Sequence, residues 1–225
     1  MPGLDPLGVP SDLEGTTFTF EYNNYEQLLN LVENKGIGII KMEVIRNFEP
    51  EDKFLEKVRD LATKKGIILI FDECTTGFRS VFGGIHKNYN IEPDIAIFGK
   101  AIGNGYAITA VVGKKDIMES AQSTFISSTF WTERIGPTAA LATLDVMENI
   151  QSWNIINKIG RNIIKKLKDL ALKHNLPMSV FGFPSIIKFT FESENNLAYK
   201  TFVTQEMLKK GFLASNTIYV CIEHN

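Results

Sequence analysis

Cysteine is scarce in this chain: Cys74 and Cys221 are the only two among 225 residues. Two thiols so far apart, with no CxxC pair, argue against a disulfide framework or a zinc knuckle, so a reducing cytoplasmic setting is expected. An excess of one charge is lacking too. Lys and Arg number 24 against 26 Asp and Glu, a formal charge of -2. No global electrostatic attraction therefore draws the chain to nucleic acid or to an anionic membrane. No apolar run reaches the roughly 20 residues that a membrane span needs. The opening MPGLDPLGVPSDLEG, with its acidic residues, Pro and Gly, reads as neither a signal peptide nor a transit sequence. His86, His174 and His224 show no ligand spacing, so no metal site is expected. Phe18, Phe20, Phe189 and Phe191 alternate as half-buried strand residues, which disfavours a base-stacking platform.

What is present is ordinary globular material, 44% hydrophobic and 22% charged, without internal repeats. Tyr25, Leu28, Leu29 and Val32 recur at helical spacing before Gly36, and a compact strand follows at 36–42. Glu51 to Lys65 places Phe54, Leu55, Val58, Leu61 and Ala62 on one helical face and stops at Gly66. The unbroken run Ile67 to Phe71 predicts a strand buried on both faces, hence a parallel sheet covered by helices. Ile95 to Phe98 and Ala107 to Val112 read as further buried strands. An Ala-rich helix spans Pro137 to Met147. A longer one, Trp153 to His174, turns Ile155, Ile156, Ile159, Ile163, Leu167 and Leu170 inward and a solvated basic face outward. Beyond Pro177 come a strand at Ile186 to Phe191, a helix from Ala198 to Lys210 and a strand at Ile218 to Ile222. The pattern is α/β, with 1–150 as one layered domain and 151–225 as a connecting helix and the start of an α+β unit.

Two segments carry chemistry. In IILIFDECTTGFR, residues 67–79, Asp72 and Glu73 emerge at the carboxyl end of a strand, where open α/β sheets place their ligands. Paired acids there would suit a nucleotide hydrolase, one holding Mg²⁺ and the next orienting water. That chemistry needs a GxxxxGK[ST] phosphate loop, and Gly99-Lys100 is followed by Ala101 with Asp94 in place of the first glycine. In the second segment, residues 93–113, Lys100 lies between an apolar strand and a Gly103/Gly105 turn, a setting expected to desolvate the amine and favour its nucleophilic form. Asp72 and Lys100 are one strand-to-strand connection apart and can reach the same sheet edge. An aspartate and a lysine so arranged meet the needs of pyridoxal 5'-phosphate (PLP).

The stretches FDECTTGFR, PDIAIFGKAIGNGYAITAVVGKKDIM and STFWTERIGPTAALATLDVM, in that order, resemble class III PLP-dependent aminotransferases, with the greatest likeness to the glutamate-1-semialdehyde 2,1-aminomutase-like branch. The likeness runs from about Pro10 to the last residue. It implies PLP-dependent transferase fold type I, here as a partial three-layer αβα large domain plus the start of a small C-terminal domain. It implies Asp72 as partner of the pyridinium nitrogen, Lys100 as the Schiff-base lysine and Thr129 as a contact to the cofactor phosphate of a neighbouring subunit, hence a homodimer. Cys74 stands where a valine often packs on the cofactor ring, and Thr75 where many members have a glutamine near the phenolic oxygen. Glu43, in KMEVIRN, aligns with the family's Glu-Pro segment, with Val44 in place of the proline. Arg79 and Arg134 are candidate carboxylate clamps that read better as structural ion pairs. The implied activity is transfer of an amino group between a small-molecule donor and acceptor (an amino acid, a semialdehyde or a keto-sugar), or its 2,1-migration within one molecule. Complete members are about twice as long, so a fragment, or half of a split enzyme, is expected; a chain that only binds PLP or dimerises is the alternative.

Overall fold

The computed structural model describes residues 5, 7–127, 129 and 132–224. Helix α1, Tyr25–Asn34, starts where the Asn24 side chain accepts the N–H of Gln27 at 3.1 Å, an ordinary N-cap. Helix α2, Phe54–Lys65, buries all five of the apolar residues that its periodicity marks and ends on Gly66 in the left-handed region. Strands β1 (Ile39–Met42), β2 (Ile68–Asp72), β3 (Ile95–Phe98) and β4 (Ala110–Gly113) form one sheet in that order. The first three run parallel, whereas β4 is antiparallel to β3.

The sheet's two faces differ. Ile40, Met42, Leu69 and Phe71 pack with Leu28 and Val32 of α1 and with α2 in the main core. The same face continues through Ala96 and Phe98 to Ala140 of α4, Ile135–Ile150. On the opposite face Ile68, Ile70, Ile95 and Ile97 are only half-buried and Ile39 is exposed. The expectation of strands buried on both faces is therefore corrected for β2 and β3, because one helical layer, not two, covers them among the described residues. It is corrected also for β4, where Val111 and Val112 are exposed at the sheet edge.

After the four-residue α3, Lys115–Met118, and α4, Gln151 in the left-handed region starts α5, Ser152–Lys173. Strands β5 (Met178–Phe183), β6 (Ile186–Phe191) and β7 (Thr217–Tyr219) form an antiparallel sheet, with α6, Asn196–Lys209, between the last two. Strand β5 was not anticipated; Gly182 and Pro184 mask it in the sequence. Ile156, Ile159, Ile163 and Leu167 of α5 pack with Val180, Ile187, Ile218 and Val220, while Ile155 and Leu170 stay exposed at the helix flanks. Phe189 and Phe191 do lie on a strand, whereas Phe18 and Phe20 alternate in half-burial without joining one. Helix α5 approaches the β5–β6 turn closely: a Cβ on Gly160 would lie 1.8 Å from the Pro184 carbonyl oxygen. The turn also reaches the first sheet, since Phe183 and Ile186 join the main core and Ser185 Oγ is 2.7 Å from Ser80 Oγ. Among the described residues no helix is long and apolar enough to cross a membrane.

Candidate active site

Asp72 is the last residue of β2 and Lys100 follows β3, so parallel pairing of these strands sets both at one end of the sheet. Oδ1 of Asp72 accepts the N–H of Cys74 at 3.1 Å, and Oδ2 accepts from Nζ of Lys41 on β1 at 2.8 Å. Burial would raise the Asp72 pKa, but the Lys41 and Cys74 bonds prevail and hold the carboxyl below its ordinary value. Burial, followed by the charge of Asp72, pushes the Cys74 thiol up, with Lys100 and Lys41 acting in the opposite sense. Cys74 is thus a thiol packed beside the site rather than a thiolate nucleophile.

Lys100 occupies the left-handed region with φ 48°, an uncommon conformation for a residue with a side chain. Its Nζ donates to Thr75 Oγ1 at 3.0 Å, and Arg46 donates to the same oxygen at 2.9 Å and to Glu43 at 2.8 Å. The structure therefore gathers Asp72, Cys74, Thr75 and Lys100, four of the five residues expected from the sequence. Thr129, the fifth, is exposed in the turn ahead of α4 and makes no hydrogen bond to these four. Lys100 is itself exposed, so the desolvated setting expected for its amine is not built by the described residues.

Neither arginine proposed as a structural ion pair forms one among the described residues. Arg79 donates Nε to the Thr75 carbonyl at 2.8 Å and stacks 5.3 Å from the Tyr219 ring centroid; burial pushes its guanidinium below its ordinary value. Arg134 is exposed and, with Lys100 and Tyr106, lines an open groove of about 1200 Å³ walled by apolar residues of α4. That groove meets the site only at Lys100; Asp72, Cys74 and Thr75 lie outside it.

Sequence reasoning missed Lys41, Arg46 and the internal bracing of the loop after Asp72. Glu73 is completely buried and accepts from Thr76 Oγ1 and from both the backbone N–H and ring Nδ1 of His86. A carboxylate so enclosed cannot orient a water, which removes the physical basis of the hydrolase reading. The Glu73–His86 pair could not be found from spacing, since a tertiary turn brings it together. No cluster of His, Cys, Asp and Glu with metal-binding geometry occurs among the described residues.

An aspartate and a lysine thus stand at the ends of adjacent strands of an α/β sheet, and the likeness to solved structures shows the fold to be that of the PLP-dependent transferases of fold type I. The fold is shared with an omega-transaminase from Sphaerobacter thermophilus, at a TM-score of 0.85 and 19% identity over 96% of this chain and 55% of that one. It is shared as well with the PLP internal aldimine form of the FumI protein of a Sphingopyxis species, at a TM-score of 0.84 and 21% identity over 92% and 53% of the two chains. Residues 47–221 match the family Aminotransferase class-III, and the chain belongs to it. It is 33% identical to a 3-aminobutyryl-CoA aminotransferase of Cloacimonas acidaminovorans and 30% identical to a glutamate-1-semialdehyde 2,1-aminomutase of Methanosphaera stadtmanae. Each alignment covers 96% of this chain and 56% of the relative, so the chain spans about half the length of these relatives.

The residues present fit PLP at two of its ends. An ionised carboxylate suits a protonated ring nitrogen, and a primary amine beside a hydroxyl suits an aldehyde. Gly99, just before Lys100, is closely packed: a Cβ there would lie 3.3 Å from Cys74 Sγ and 3.4 Å from Thr109 Cγ2.

Proposed function

We propose that this chain carries the lysine-bearing part of a PLP-dependent enzyme of amino-group transfer, acting as an aminotransferase or a 2,1-aminomutase. The observation that carries the reading is the convergence of Asp72 and Lys100 on one sheet edge, with Lys100 hydrogen-bonded to Thr75 of the Asp72 loop. PLP, when bound, supplies an electron sink for deprotonation of the carbon that bears the substrate amine. Lys100 would hold the cofactor aldehyde through its amine and, once displaced by the substrate, move the proton as general base. Asp72 would keep the ring nitrogen protonated, Cys74 would pack beside the ring, and Thr75 would orient the Lys100 amine. Thr129 would contact the phosphate of the neighbouring subunit in a homodimer. Residues 1–150 would form part of the cofactor-binding domain and 151–225 the connecting helix and part of a small domain. The partners are a small amino donor and a keto or aldehyde acceptor, met in the cytoplasm.

The exposure of Lys100 and of apolar residues on α4, Leu141 and Val146 among them, favours a second reading in which the chain binds PLP or dimerises without turnover. PLP uptake followed by borohydride reduction and peptide mapping decides the matter. Label on Lys100 with turnover of an amino donor supports the first reading, and label without turnover the second. Label spread over surface lysines alone overturns both as PLP sites.

A further inference from the structure

Both oxygens of the Asp72 carboxylate are already engaged by this chain, Oδ1 by the Cys74 N–H and Oδ2 by Lys41. Lys41 pairs in register with Ile70, two residues before Asp72, so its side chain rises from the neighbouring strand on the face that carries Asp72. Its ammonium lies 2.8 Å from Oδ2 although the Lys41 side chain is 54% exposed and could extend into water. Exposed pairs of this kind contribute little to stability. The consequence of this one lies in the carboxylate that it engages. A carboxylate that serves a protonated ring nitrogen directs its negative charge at one cation; here a second cation shares it.

We propose that Lys41 is a positioning residue that holds the Asp72 carboxylate through Oδ2 and competes for that oxygen with the ring N–H of PLP. The inference rests on the reading of Asp72 as the ring-nitrogen partner. Among the described residues, the charged and titratable groups around Asp72 are Lys41 from β1, the Cys74 thiol on the loop that follows, and Lys100 from the segment after β3, which acts on Cys74. Replacing Lys41 by Met then has two effects of opposite sense. Oδ2 is released and a like charge is removed from beside the ring nitrogen, so PLP affinity at neutral pH rises by about threefold, the scale of one modest hydrogen bond. Asp72 also loses the partner that favours its charged form, so the carboxyl titrates at higher pH and PLP affinity is lost earlier on acidification.

The test measures PLP affinity by equilibrium dialysis from neutral to acid pH for the wild-type chain, Lys41→Met and Lys41→Arg. A ¹³C NMR titration of the Asp72 carboxyl in the chain without added PLP accompanies it. Tighter binding at neutral pH, an acid limb and an Asp72 titration both moved to higher pH in Lys41→Met, and their return in Lys41→Arg, support the proposal. A lysine with a merely structural role would weaken binding without moving the acid limb. Wild-type binding with an unmoved acid limb and an unmoved Asp72 titration in Lys41→Met overturns the inference alone. Absence of PLP uptake by the wild-type chain overturns the cofactor reading and the competition with it, whichever way the carboxyl titrates.

Discussion

Thr75 Oγ1 receives the Lys100 amine at 3.0 Å, and Arg46 reaches the same oxygen at 2.9 Å. A hydroxyl has two acceptor sites, and two cationic side chains occupy both. Thr75→Val removes that shared acceptor while keeping shape. Loss of about 1 kcal/mol from one hydrogen bond corresponds to roughly a fivefold fall in reductive PLP labelling of Lys100, whereas Thr75→Ser stays near wild type. Equal labelling in Thr75→Val would show that the bond does not place the amine.

Glu73 and His86 brace the loop that presents Cys74, Thr75 and Arg79. His86→Ala strips the ring donor from a carboxylate that has no access to water. A cost of about 3 kcal/mol is expected, read as a lower urea midpoint, against less than about 0.5 kcal/mol for exposed His174→Ala. A midpoint unchanged in His86→Ala would mean that the loop repacks without its brace.

Asp94 ties three elements together: it accepts from the Leu69 N–H at 2.8 Å, Lys114 at 2.7 Å and Arg59 at 3.0 Å. Burial raises its pKa, but these donors prevail and place the carboxyl below its ordinary 3.8. A carboxylate depressed on folding contributes stability that is present above its unfolded pKa and is lost as pH falls through the folded value. Acid unfolding of the wild-type chain should therefore include a component that Asp94→Asn removes, with that variant less stable at neutral pH. Parallel pH–stability curves for the two proteins would contradict the assignment.

Gly160 is required by proximity rather than by its dihedral angles. With a Cβ at 1.8 Å from the Pro184 carbonyl oxygen, Gly160→Ala must push α5 away from the β5–β6 turn. Overpacking of this kind costs about 1–3 kcal/mol, outweighing the gain in helix propensity from alanine. Thermal unfolding should show a lower Tm for Gly160→Ala. Gly38→Ala, where a Cβ would meet nothing within 4 Å, supplies the comparison.

Much of this architecture was legible because local rules and the fold agree. Periodicity and Gly66 located α2, apolar runs located β2 and β3, and three ordered motifs carried the family, which the match over residues 47–221 shows. Strand β5 was not legible, since a Gly182 with positive φ and a nearby Pro184 interrupt the strand signal. The burial of β2 was overstated for a different reason. Composition reports that a run is apolar, while burial depends on what lies across each face, and Ile68 and Ile70 face the less covered side.

The sequence by itself determined the α/β class and the family, and it named the residues of the candidate site, because these depend on local pattern and on motif order. Only the tertiary structure decided what those residues touch. That Lys41 engages Asp72, that Arg46 and Lys100 share Thr75, and that His86 closes over Glu73 depend on strand register and loop closure. Each partner is remote in the chain or lies across a turn, and a charge in a sequence does not name the opposite charge that folding sets within 3 Å of it.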